Sequence, residues 1–161
     1  MEPAPDSPYC VPTRQVDASI EIDGGRREDV VFYLPTAAPT HEGPEAMDEM
    51  LNRRRRFIPV RSRESGELFL VRRLSLVTVT VAQSEGAHAL EKETGLPTSI
   101  DFVRFEMKHG EVLEGALATV LPPETSRMSD FFNLETVTFL PLLVGENVVH
   151  VNKEFIAVVH L

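Results

Sequence analysis

A set of blocks that occurs twice, in the same order, constrains this chain more than any other feature of its sequence. Pro44-Glu45-Ala46-Met47-Asp48-Glu49-Met50-Leu51-Asn52 is followed by Arg53 to Arg56 and then by Phe57-Ile58-Pro59-Val60. Later, Pro123-Glu124-Thr125-Ser126-Arg127-Met128-Ser129-Asp130-Phe131-Phe132-Asn133 is followed by a short spacer and Phe139-Leu140-Pro141-Leu142. Met47 aligns with Met128, Asn52 with Asn133 and Pro59 with Pro141. Upstream, Ile20-Glu21-Ile22-Asp23-Gly24-Gly25 parallels Phe105-Glu106-Met107-Lys108-His109-Gly110. Downstream, Leu70-Val71-Arg72-Arg73 and Leu76 to Val81 parallel His150-Val151-Asn152-Lys153 and Ile156 to Leu161. Valines match by composition alone, whereas ordered blocks with shared Pro and Asn are harder to obtain by chance, so the pattern predicts a duplicated unit. The expected layout is a disordered leader at 1–13, a first unit at 14–82, a linker at 83–98 and a second unit at 99–161.

Within each unit the signals are mostly those of strands. Val16, Ala18, Ile20 and Ile22 alternate with polar residues, which places one face of a strand on a core. Gly24-Gly25 supplies a turn, and Val30-Val31-Phe32-Tyr33-Leu34 is a β-branched and aromatic run that stops at Pro35. Met47, Met50 and Leu51 fall at helical spacing and predict a short helix over Glu45–Asn52. Phe57–Val60 and Glu67–Val71 flank Ser65-Gly66 as a hairpin, and Leu74–Val81 closes the unit. The parity change between Leu76 and Val77 predicts a bulge there. The second unit repeats the plan: a strand through Val103, Phe105 and Met107, then Val112–Leu121, a helix over Arg127–Asn133, a hairpin of Phe139–Val144 with Val148–Val151, and Phe155–Leu161. The expected fold class is therefore mainly β, two similar bent-sheet or partial-barrel units in tandem, each with one short helix. The final strand alternates without protective charges, so it is paired within the protein or offered as an edge to a partner.

Composition narrows the functional classes. The 161 residues are 42% hydrophobic and 25% charged, in the globular range, with a formal net charge of -9 that argues against nucleic-acid binding. The single cysteine, Cys10, excludes an intrachain disulfide and fits a reducing compartment. The acidic, proline-rich start has no signal-peptide pattern, and no apolar run is long enough to span a bilayer. The expectation is a cytoplasmic protein without membrane insertion.

Against this acidic background, Arg53, Arg54, Arg55, Arg56, Arg61, Arg63, Arg72 and Arg73 lie close together in sequence, and the hairpin would bring the two ends of the stretch together. Guanidinium groups suit bidentate contacts with carboxylate or phosphate, so the stretch is a candidate surface for a protein partner or an anion. The alternative is a solvated loop that pairs with the acidic remainder of the chain. Phe131, Phe132 and Phe139 form either a docking patch or part of a core. The histidines His41, His88, His109, His150 and His160 are scattered without metal-ligand spacing and read as surface or turn residues. No motif places a nucleophile on a strained turn beside a base, and Gly24-Gly25 is not followed by a phosphate-loop helix. No catalytic residue, metal or cofactor is expected.

Two resemblances attach to particular residues. The strand–Gly–strand opening, Gly115 followed by Asp130-Phe131-Phe132-Asn133, and the segment Asn152-Lys153-Glu154-Phe155-Ile156-Ala157-Val158-Val159 resemble Sm-like small β-barrels, with a helix inserted between strands where that family has none. The resemblance implies a bent five-stranded sheet, ring formation and RNA binding, the last opposed by the net charge. The cluster Arg53-Arg54-Arg55-Arg56-Phe57 is similar to the opening of PilZ domains, which bind cyclic dinucleotides. The family's Asp/Asn-x-Ser-x-x-Gly turn is not matched by Arg63-Glu64-Ser65-Gly66. The functional expectation is a non-enzymatic interaction or assembly (adaptor) module that binds another protein, itself a candidate homo-oligomer. The alternative is a ligand-sensing module that binds a nucleotide or other anion at Arg53–Arg56.

Overall fold

Period-two alternation and turn glycines divide the chain into short strands that all join one sheet. The computed structural model describes residues 12–39, 41–85, 98–120, 128–133 and 137–161. The elements are β1 (Thr13–Ile22), β2 (Arg26–Pro35), α1 (Met47–Asn52), β3 (Phe57–Ser62), β4 (Leu68–Arg72) and β5 (Leu76–Ala82). They are followed by β6 (Thr98–Met107), β7 (Val112–Val120), α2 (Met128–Phe132), β8 (Phe139–Val144), β9 (Asn147–Asn152) and β10 (Ile156–His160). Short 3-10 turns occupy Arg73–Ser75, Gln83–Glu85 and Lys153–Phe155. The fold is mainly β, with five strands and one short helix in each half and a sheet that does not close into a barrel.

Strand order across the sheet is β10-β6-β7-β8-β9-β5-β1-β2-β3-β4. Strands β1 to β5 thus lie in the order 5-1-2-3-4, and β6 to β10 lie in the corresponding order 10-6-7-8-9. The two halves meet where β5 pairs antiparallel with β9, from Thr78 opposite Val151 to Ala82 opposite Asn147. Gly25 and Gly110, at φ 90° and 96°, allow the β1–β2 and β6–β7 turns a conformation that a side chain resists. The bulge sits at Val77, because Ile22 lies opposite Leu76 while its neighbour Glu21 lies opposite Thr78.

The halves exchange side chains across the junction. One cluster contains Val16, Ile20, Phe32, Met47, Met50, Leu51 and Val79, and takes in Phe139 and Val148 from the other half. The second contains Val103, Phe105, Leu117, Leu140, Leu142 and Val151, and takes in Val77. Burial of each cluster therefore depends on the neighbouring half. At Gly115 an added Cβ would collide with the Leu143 carbonyl and crowd Leu142, so glycine lets β8 approach β7 closely.

Some boundaries differ from those read in the sequence. The first helix starts at Met47 and not at Glu45, because the Glu45 amide donates to the Pro35 carbonyl at 3.1 Å and holds that residue in the connecting chain. The closing strand starts at Leu76 and not at Leu74, because the Arg73 amide donates to the Arg56 carbonyl at 2.9 Å and bends Arg73–Ser75 into a 3-10 turn. Thr13, placed in the expected leader, already belongs to β1. The rest of that leader up to residue 11, the linker stretch 86–97 and the Pro122-Pro123 stop lie outside the described residues. Among the described residues, no helix is long and apolar enough to cross a membrane.

Candidate functional site

The arginine stretch enters β3 from the end of α1 and returns from β4, at one end of the sheet. Phe57 lies opposite Arg72 in the β3–β4 ladder, so the hairpin brings the two arginine groups together. The eight arginines then separate by role. Arg53 pairs with the carboxylate of Glu45, whose side chain is buried; burial pushes that carboxyl upward, and the Arg53 charge opposes the shift. Arg73 is buried, and its guanidinium donates to the carbonyls of Leu51 and Arg55, each at 2.9 Å. It therefore satisfies one carbonyl in the last turn of α1 and one in the chain that follows the helix. Arg61 braces its own hairpin, donating to the Tyr33 hydroxyl at 2.9 Å and the Gly66 carbonyl at 2.8 Å. Arg63 is exposed, 3.8 Å from the exposed carboxylate of Asp17.

Four arginines remain. Arg54, Arg55, Arg56 and Arg72 are exposed and line an open cleft of about 490 Å³ with Phe57, Leu74 and the buried Arg73. Among the described residues none of these four forms an ion pair. The apolar walls are themselves uncovered, with Phe57 53% and Leu74 47% exposed. Beyond the cleft, Leu68 and Leu70 are exposed along β4, the last strand at this end of the sheet. Among the described residues, the site therefore combines exposed guanidinium groups outside any ion pair, apolar side chains and a strand paired on one side.

The three phenylalanines are not brought together as an exposed patch. Phe139 is completely buried and belongs to the cluster of the first half. Phe131 is buried and Phe132 half-buried, and the Phe132 ring meets Phe105 and Phe131 edge-on at 5.9 and 5.8 Å. These contacts are those of packed aromatic rings in a core.

Sequence reasoning missed two sites. His150, expected at a surface or turn, lies fully buried in β9 with neither ring nitrogen hydrogen-bonded among the described residues. Its position in an alternating valine run marked it as a strand residue, and nothing local marked it as a core one. Glu21, His109 and Glu111 offer ligand atoms within 4.8 Å of one another and form a group that could hold a metal ion. A guanidinium already serves there: Arg27 Nη2 lies 2.9 Å from Glu111 and 3.5 Å from Glu21. In sequence His109 reads as a turn residue, and its 3.5 Å approach to Glu21 depends on contact between the two halves.

Comparison of the chain with protein-family models, curated proteins and solved structures found no match.

Proposed function

We propose that this chain is a non-enzymatic interaction or assembly module, built from a duplicated β unit, that contacts a protein partner through the β3–β4 end of its sheet. The observation that carries this reading is the cleft of Arg54, Arg55, Arg56 and Arg72 beside exposed Phe57, Leu68, Leu70 and Leu74. Arginine and aromatic side chains are enriched at protein interfaces because they combine apolar area with directional donors. An edge strand adds backbone donors and acceptors that a partner strand can pair. A free arginine group on a chain of net charge -9 also favours an acidic contact over a nucleic acid as the normal partner. The lone Cys10 suits a reducing compartment, and we read the protein as cytoplasmic.

The test is affinity capture from native lysate, comparing wild type with a variant in which Arg54, Arg55, Arg56 and Arg72 are all changed to Glu. Arg53 and Arg73 stay intact because both act inside the fold. The expected result is a specific protein partner recovered by wild type and lost by the variant at unchanged melting temperature. Recovery of the same partners by both proteins contradicts the reading.

The cleft also favours a second reading, in which it binds a nucleotide or another anion, the chemistry that the likeness to PilZ domains implies. A thermal-shift panel of phosphorylated ligands decides it: stabilisation that the four-arginine variant loses supports anion binding, and flat melting temperatures dismiss it.

A further inference from the structure

We propose that copies of this chain join head to tail, with β4 of one copy pairing antiparallel with β10 of the next in the register that β9 and β5 use inside the chain. The proposal rests on the interaction-module reading and names its partner as a second copy.

The ladders define which positions correspond. Pro59 lies opposite Leu70 in the first half, and Pro141 lies opposite His150 in the second. Leu70 thus corresponds to His150, Leu68 to Val148, Phe57 to Phe139 and Arg72 to Asn152. At the other edge, Ile22 and Glu21 face Leu76 and Thr78, while Met107 and Glu106 face Ile156 and Val158. Both ladders skip one residue at the same place, so β10 corresponds to β5 position by position.

Residues at corresponding positions differ in whether a neighbour covers them. Phe139, Val148 and His150 are each 0% exposed, because β5 and the first half's core lie against them. Phe57, Leu68 and Leu70 are 53%, 55% and 65% exposed. Among the described residues no strand pairs with the outer side of β4, nor with the outer side of β10, where Val158 and Leu161 are 45% and 76% exposed. Each free edge has the shape of one side of a junction that the molecule already makes. Transferring that junction sets Val158 opposite Val71, Val159 opposite Leu70, His160 opposite Phe69 and Leu161 opposite Leu68.

Polar groups transfer with it. Asn52 Oδ1 accepts hydrogen bonds from the amides of Thr138 and Phe139, each at 2.9 Å, which fastens α1 to the start of β8. Its counterpart Asn133 is exposed, with its amide donating to Ser129 as Asn52's donates to Asp48. In the assembly Asn133 meets the amides of Arg56 and Phe57 from the next copy. Asn152 donates to the Leu74 and Leu76 carbonyls; Arg72 in its place donates to those of Glu154 and Ile156. The cleft arginines then face α2, where Asp130 is exposed, and the exposed Glu154. The two surfaces differ and each copy carries both, so the contact is heterologous and continues beyond a dimer.

The test uses the full chain with Cys10→Ser, Leu70→Cys and Val159→Cys. Oxidation is expected to give a ladder of dimers, trimers and higher species on denaturing gels, while Leu70→Cys or Val159→Cys alone gives none. Light scattering of the wild type is expected to give multiples of 18.0 kDa. Leu70→Glu, at an exposed site that tolerates charge in the folded monomer, is expected to reduce that mass to 18.0 kDa with an unchanged circular dichroism spectrum and a melt that no longer depends on concentration. Wild type that stays at 18.0 kDa at high concentration, with no ladder from the oxidised double-cysteine variant, overturns the proposal. So does dimerisation through Leu70→Cys alone, which would mean β4 pairing with β4. If the wild type is monomeric yet the four-arginine variant still loses a captured protein, only the second copy is ruled out. If neither association is seen, the interaction-module reading fails as well.

Discussion

His150 stands between Val79 and Pro141 in neighbouring ladders, at the junction of the two halves, where an ordinary core residue would be apolar. Burial pushes its imidazole down to about 4. The unfolded value is about 6.5, so the unfolded chain binds the proton more tightly. Stability is complete above pH 6.5 and falls as the pH drops toward 4, by on the order of 3 kcal/mol. His150→Leu installs the residue that the corresponding position, Leu70, carries. The variant is expected to melt a few degrees higher at pH 7 and to lose most of the acid slope between pH 6.5 and 4. A lower melting temperature with the same slope would show that the ring has a partner after all. His150 and Leu70 also show where the sequence stops being informative. Both sit in the same alternating pattern, yet one is fully buried and the other 65% exposed, because only one has a strand beside it.

At the scale of elements, α1 has six residues, too few to hold a helix without tertiary support. Its support comes from Met47, Met50 and Leu51 on the core side, Arg73 on the Leu51 carbonyl and Asn52 on β8. Removing Asn52 leaves two backbone amides without their acceptor. Asn52→Ala is expected to cost about 2 kcal/mol in chemical denaturation. Asn133→Ala, measured at dilution, should stay within about 0.5 kcal/mol of wild type, as a surface change does. Equal effects of the two substitutions would contradict the view that Asn52 fastens the halves together. The helix itself was legible from the spacing of Met47, Met50 and Leu51, and the strands from alternation, because both signals are local. The 3-10 turn at Arg73 was not, since it depends on an arginine reaching back to Leu51 and Arg55. Eight nearby arginines look alike in sequence; only the fold separates the buried, helix-binding Arg73 and the Glu45-paired Arg53 from the exposed Arg54, Arg55, Arg56 and Arg72.

For the whole molecule, the consequence of β5 pairing with β9 is a single sheet with two unlike edges. The two halves share a strand order, 5-1-2-3-4 and 10-6-7-8-9, and no local sequence signal shows that each completes the other's core through Phe139, Val148 and Val77. Such pairing leaves one copy of each surface uncovered at the ends, which is where the exposed apolar side chains of β4 and β10 lie. The pairing that joins the halves inside the chain, β5 with β9, is the one proposed to join chains to one another. Amide hydrogen exchange followed as a function of protein concentration tests it most directly. Strong, concentration-independent protection of β5 and β9 is expected, with protection of β4 and β10 that rises with concentration and is lost in Leu70→Glu. Exchange from β5 and β9 as fast as from the edge strands would contradict the single sheet, and edge strands indifferent to concentration would contradict the shared pairing rule.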